Sequence, residues 1–200
     1  MSVRKPEPEL QPLDLFQEWF AAAVASGMAM PEAMMLATAT AEGRPSSRMV
    51  LLKGFDPAGR LRFFTNYDSR KAGELDHNPR AALLFWWPAL YVQVRVEGPV
   101  VRLPPAESDA YFASRARLSQ LGAVVSPQSR PIADFQQLLD RVSALAHELG
   151  DHPVPRPANW GGYGVEPESW EFWVGHDGRL HERFVYTREG AGWTFKLLAP

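Results

Sequence analysis

The spacing of apolar residues changes period along the chain, and each change marks an element. Residues 13–28, LDLFQEWFAAAVASGM, put Leu15, Phe16, Trp19, Phe20 and Val24 at helical intervals. Asp14 is the expected N-cap of that helix, and Gly27 stands where it should stop. The period then drops to two. AMMLATAT (33–40), SSRMVLLKGF (46–55), RLRFFTN (60–66), RAALLFWW (80–87) and YVQVRVEGPVVRL (91–103) read as strands rich in branched and aromatic residues. AEGRP (41–45) and DPAG (56–59) read as turns between the first three.

DSRKAGELDHNP (68–79) predicts a short helix capped by Asp68 or Ser69 and ended by Pro79. Two more helices are expected, over 105–115 and 132–150. The Pro-rich loop 151–162 then leads to strands near 163–174, 179–188 and 192–198. Many short antiparallel strands with helices set between them predict an α+β fold, an antiparallel β-barrel closed or nearly closed. Too few residues follow the Pro-rich loop for a second core. The expected organisation is a mobile arm over residues 1–13 and one domain over 14–200.

Composition narrows the chemistry. Of the 200 residues, 46% are hydrophobic and 22% charged, which fits a globular chain. A net charge of -2 gives no footprint for nucleic acid, so that partner is not expected. With no cysteine, thiolate catalysis, iron–sulfur clusters and Cys-ligated zinc are excluded. The N-terminus has no apolar signal core and no segment has the length of a membrane span. No membrane partner is expected, and the cytoplasm is the expected compartment. The five histidines show no paired spacing, so no metal is expected. Neither a nucleophile elbow nor a dinucleotide fingerprint occurs.

What remains is four polar clusters. Arg48 and Lys53 bracket an apolar strand and would bind an anion at the barrel mouth; two exposed strand-end cations are the ordinary alternative. Thr65, Ser69, Arg70 and Lys71 gather at a strand end and a helix start, where free N–H groups favour a phosphate. A cap followed by a solvated basic turn would look the same. Tyr111, Arg115 and Ser119, spaced by four, would share one face of a continuous helix and could hold a second phosphate. Arg179, His181 and Arg183 in GRLHERF would share one face of a strand, or else form its solvated edge. Two phosphate cradles without a nucleophile point to a phosphorylated cofactor that carries the chemistry for a phosphorylated substrate.

RMVLLKGFD, FFTNYDSRKA, YFASRARLSQLGAVVSPQS, WGGY, EFWVG, RLHERF and the terminal LAP, in that order from about residue 14 to 200, resemble the pyridoxine/pyridoxamine 5′-phosphate oxidase family. The resemblance implies an FMN-binding split barrel, a homodimer with flavin at the subunit interface. It implies oxidation of pyridoxamine or pyridoxine 5′-phosphate to pyridoxal 5′-phosphate by O2, with hydride passing from substrate C4′ to the flavin and peroxide released. Carried over by position, it assigns FMN contacts to Arg48, Met49, Val50, Leu51, Leu52 and Lys53, to Phe64, Thr65, Ser69, Arg70 and Lys71, and to Gln93, Gln128, Ser129, Trp173 and Arg183. It assigns the substrate phosphate to Lys53, Tyr111, Arg115 and Ser119, and sets Arg179 and His181, the catalytic candidates, over the substrate ring. A phenazine-pathway flavin oxidase, or a split-barrel flavin or haem carrier, is the rival. The joint presence of the phosphate set and the RLH triplet favours the vitamin B6 reading.

Overall fold

Alternation of buried and open positions builds the sheet. The computed structural model describes residues 3–56 and 58–200. The first two residues of the expected arm, and Pro57 of the expected 56–59 turn, lie outside the described residues. Among these residues there are nine strands: β1 (Ala33–Ala39), β2 (Pro45–Leu51), β3 (Leu61–Asn66), β4 (Arg80–Trp87), β5 (Val92–Arg102), β6 (Trp160–Val165), β7 (Ser169–Val174), β8 (Glu182–Glu189) and β9 (Gly192–Leu198). They run in the order β2-β1-β4-β5-β7-β8-β9, while β3 pairs with β6 and β6 with β5. The pairings are antiparallel.

β5 joins the two parts of this split barrel. Its first half, Val92–Glu97, pairs with β7, and Val100–Arg102 pairs with β6. The switch falls at Gly98. A Cβ there would lie 1.8 Å from the Glu166 carbonyl oxygen, so a larger residue would force the strand off its path.

One face of the sheet is the core. Leu36, Leu83, Val96, Trp170 and Tyr186 form a cross-strand row, and Phe85, Val94, Phe172 and Phe184 form the next. Helix α1 (Pro12–Ala25) closes over them. The Phe16 ring lies 4.9 Å from Phe85 and 5.3 Å from Trp170, and Trp19 lies 5.1 Å from Phe172. Burying Phe16 contributes about 1.5–3 kcal/mol by area alone. Gln11, not Asp14, holds the N-cap position; Pro12 opens the helix and Asp14 sits in the first turn, favourable to the helix dipole. Gly27 ends it with φ 73°, as its position in the sequence predicts. The inward position is Ala23, while Val24 faces out.

Residues 3–11, read from the sequence as a free arm, make contacts along the barrel. Trp19 Nε1 donates to the Arg4 carbonyl at 2.8 Å and the Tyr186 hydroxyl to that of Glu7 at 2.7 Å. Lys5 pairs with Glu182 at 2.5 Å.

The remaining helices are α2 (Arg70–His77), α3 (Pro105–Ser114), α4 (Arg117–Val125) and α5 (Phe135–Leu149). Ser69 holds the N-cap position of α2 but makes no side-chain cap bond. Two expectations are corrected here. The stretch from Tyr111 to Ser119 is not one helix, because Arg115 and Ala116 are extended, with ψ of 150° and 137°, and α4 begins afresh at Arg117. The expected strand 163–174 is two strands, parted around Pro167. Among the described residues, no helix is long and apolar enough to cross a membrane.

Candidate active site

β2, β3, α2, α3 and the start of β6 enclose a cavity of about 330 Å³. Its walls carry Arg48, Met49, Val50, Leu51 and Lys53, then Phe64, Thr65 and Lys71, and finally Tyr111, Arg115, Gln128 and Trp160. The fold thus brings three of the four predicted clusters to one space. β2 has both its faces partly open, which is why its side chains reach the cavity instead of the core.

At one end Lys71 Nζ donates to Thr65 Oγ1 at 3.0 Å, Ser69 Oγ at 3.2 Å and Gln128 Oε1 at 2.9 Å. Burial, and after it the charge of Arg48, push the Lys71 ammonium down to about 8, against the pull of Glu74. The three hydrogen bonds of this half-buried ammonium all go to uncharged groups, and a phosphate would give it a charged acceptor. Arg48 is held in place, donating to the Leu36 carbonyl at 3.1 Å and to Thr38 at 2.5 Å.

At the other end the aromatic rings of Phe64 and Tyr111 stack at 4.1 Å. The Arg115 guanidinium lies 4.7 Å over the Trp160 ring. Its Nη1 is buried without a hydrogen-bond partner among the described residues, and burial pushes its pKa down from the ordinary range. A buried, unpaired guanidinium nitrogen costs free energy unless an anion joins it. Ser119 lines an adjoining hollow that shares Arg115, Gln128 and Trp160 with the main cavity. Across the break between α3 and α4, Arg115 lines both hollows, while Tyr111 lines only the main cavity and Ser119 only the adjoining one.

Several predicted residues lie elsewhere. Leu52 is buried in the core, beyond the end of β2, and does not line the cavity. Ser69 is buried beneath Lys71. Arg70 turns outward to Glu74. Ser129 is exposed with φ 68°, beside Gln128.

Gln93, Trp173 and Arg183 form a second group, in register across β5, β7 and β8 on the outer face of the sheet. Arg183 is bound by Glu171 and is not among the residues that line the cavity. The expected alternation of Arg179, His181 and Arg183 on one strand is corrected. Gly178 and Arg179 both take positive φ, 71° and 61°, in a 3-10 turn, and β8 begins only at Glu182. Left-handed backbone at an arginine is uncommon and concentrates at functional sites. The His181 ring packs 4.5 Å from Trp173. His176 N–H donates to His181 Nδ1 at 3.2 Å, so a neutral imidazole carries its proton on Nε2.

Sequence reasoning passed over Trp160, Glu74, Glu171 and His176. Trp160 was within reach, since it opens the WGGY segment that carries part of the resemblance. Glu74 reads only as an ordinary helix partner of Arg70.

Fold and site define an antiparallel split barrel with a cation-lined, aromatic-walled cavity suited to phosphorylated ligands. The family model described as pyridoxamine 5′-phosphate oxidase matches residues 20–147. A second, described as the pyridoxine 5′-phosphate oxidase C-terminal dimerisation region, matches residues 160–200. The chain belongs to the pyridoxamine 5′-phosphate oxidase family. It is 54% identical over 194 residues to the pyridoxine/pyridoxamine 5′-phosphate oxidase of Novosphingobium aromaticivorans, covering 96% of this chain and 95% of that one. With the protein of the same name from Rubrobacter xylanophilus it shares 52% over 189 residues, covering 94% and 87%. Among solved structures it is similar to PhzG from Burkholderia lata 383, in complex with tetrahydrophenazine-1-carboxylic acid, at 33% identity and TM-score 0.91 over the whole of both chains.

Proposed function

We infer that the chain is an FMN-dependent oxidase that converts pyridoxamine or pyridoxine 5′-phosphate to pyridoxal 5′-phosphate, with O2 as acceptor and hydrogen peroxide as co-product. The residues fit the cofactor: Lys71, Thr65, Ser69 and Gln128 form a donor-rich pocket for its phosphate, with Arg48 adjoining. When bound, FMN supplies two-electron redox chemistry that the side chains themselves do not offer.

The protein binds and orients. Lys53, Tyr111, Arg115 and Ser119 hold the substrate phosphate, and the stacked Phe64 and Tyr111 rings wall the space beside it. Gln93, Trp173 and Arg183 address the flavin, and Arg179 and His181 the substrate ring. The His176 contact at His181 Nδ1 leaves Nε2 to address that ring, and fixing both partners in one orientation lowers the entropic barrier. These last five stand apart from the cavity of their own chain, which supports a homodimer in which each subunit completes its partner's site.

The observation that carries the reading is the unpartnered, buried Arg115 Nη1 on the cavity wall. It calls for an anionic group on the substrate, which the phosphate of the vitamer supplies. The test is aerobic incubation of the FMN-loaded protein with pyridoxamine 5′-phosphate, following pyridoxal 5′-phosphate and peroxide together. Equal amounts of both support the reading; a flavin-loaded protein that forms neither sinks it.

A further inference from the structure

Glu74 carries a dense set of hydrogen bonds beside the cavity, yet it does not line it. One turn into α2, its carboxylate is almost wholly buried. Oε2 accepts from Thr38 Oγ1 at 2.5 Å, Ser46 Oγ at 2.6 Å and Arg48 Nη2 at 3.2 Å, and Oε1 accepts from Arg70 Nε at 2.9 Å. Thr38 and Ser46 each also receive a hydrogen bond from Arg48. Arg48 is thus tied to Glu74 once directly and twice through a hydroxyl. Three elements, β1, β2 and α2, meet on one carboxylate.

We propose that Glu74 is the positioning residue of the cofactor's phosphate site: its carboxylate fixes the guanidiniums of Arg48 and Arg70 and balances the positive charge gathered there. This rests on the functional reading above. Arg48 would otherwise be an arginine on an open strand, free to swing among rotamers, and binding would have to overcome that entropy. The charge balance acts on Lys71. From β2 it faces Arg48, and from its own helix Glu74; its other partners, Thr65, Ser69 and Gln128, are uncharged. Lys53 and Arg115 add positive charge to the same cavity, and Tyr111 is the remaining titratable group on its wall. Glu74 opposes the downward push that burial and Arg48 exert on Lys71. Without it, the ammonium that meets the phosphate loses its proton nearer to neutral pH.

The experiment titrates the apoprotein with FMN and with riboflavin, the same ring without the phosphate, from about pH 6 to about pH 9, spanning the range in which Lys71 loses its charge. The wild-type protein should prefer FMN, with the preference fading as pH rises through about 8. Glu74→Ala should weaken FMN by at least about tenfold and riboflavin by less than about twofold, since the lost bonds serve only the phosphate. Glu74→Gln keeps a carbonyl oxygen for Thr38, Ser46 and Arg48. It should lose less at low pH, but its FMN affinity should begin to fall at lower pH than in the wild type. Unchanged FMN-to-riboflavin ratio and pH profile in both variants, or equal loss of both flavins, would overturn the inference. Should Glu74→Ala fail to fold, the profile of Glu74→Gln decides alone. A wild-type protein that binds neither flavin overturns the functional reading itself, an outcome distinct from failure of the Glu74 inference.

Discussion

Arg183 grips Glu171 with two parallel hydrogen bonds, Nε to Oε1 at 2.8 Å and Nη2 to Oε2 at 3.1 Å. Arg95, directly opposite Glu171 on the other neighbouring strand, donates to the same carboxylate at 3.1 Å. The pairing raises the Arg183 pKa, the hydrogen bond it donates to Glu171 being the larger cause. Arg183 is therefore a braced side chain, held in one rotamer before any ligand arrives. Read as part of an exposed strand, its loss would change stability little. Its partner alters that expectation, because Glu171 is buried.

Arg183→Ala should lower FMN retention and also destabilise the fold. The cost should fall toward the low end of about 1–3 kcal/mol, since Arg95 still pairs with the stranded carboxylate. Flavin content measured beside urea unfolding checks both effects. Lost flavin with unchanged stability would mean that Glu171 repairs itself with another partner.

Glu74 makes a second prediction, about acid. Burial alone would raise its pKa, but hydrogen bonds from Ser46, Thr38 and Arg70 and the charge of Arg48 overcome it and bring the value from 4.5 to about 2. A carboxyl with a depressed folded-state pKa stabilises fully above its unfolded value and loses that contribution as pH falls through the folded one. The stability difference between wild type and Glu74→Gln should thus be constant above about pH 5 and shrink steadily between 4.5 and about 2. Urea unfolding across that range measures it. A difference that does not depend on pH would place the group's ordinary titration back in the folded state.

Arg115 makes a third. Arg115→Ala removes the buried guanidinium and its stack on Trp160. For pyridoxamine 5′-phosphate, kcat/KM should fall by roughly 10- to 150-fold, the worth of a charge-assisted hydrogen bond of about 1.5–3 kcal/mol. Pyridoxamine without its phosphate should be turned over, however slowly, at the same rate by both proteins. Equal losses on the two substrates would assign Arg115 to the pocket's shape and not to the phosphate.

The sequence discloses most of the sheet because alternation is a short-range property. RAALLFWW coincides with β4 residue for residue, and AMMLATAT overruns β1 by Thr40 alone. Backbone breaks are harder to see. Nothing in YFASRARLSQ forbids a continuous helix: no Gly or Pro marks the turn, and tertiary contacts set the extended residues Arg115 and Ala116. In GRLHERF the glycine is a warning, but a positive φ at Arg179 overrides the local preference of its own side chain. Glu74 was invisible for another reason. Its partners Thr38 and Ser46 are 36 and 28 residues away in sequence, and only the packing of α2 against β1 and β2 brings them together. Resemblance assigned Lys53, Thr65, Lys71, Arg115 and Gln128 to ligands, and the fold sets all five on one cavity, which spacing could not disclose.

The most direct test asks whether the two groups of residues work across subunits. On the sheet path β2 and β8 are five strand steps apart, and Arg179 and His181 are absent from the lining of their own cavity. Two inactive variants are needed, Lys53→Ala/Arg115→Ala on the cavity side and Arg179→Ala/His181→Ala on the loop side. Each alone should sediment at twice 22.4 kDa and turn over no pyridoxamine 5′-phosphate. Co-expressed in equal amounts, they should regain roughly a quarter of wild-type activity, because half the dimers are mixed and each mixed dimer holds one intact site of two. A mixture that stays inactive while mixed dimers are demonstrably present would mean that each chain builds its site alone.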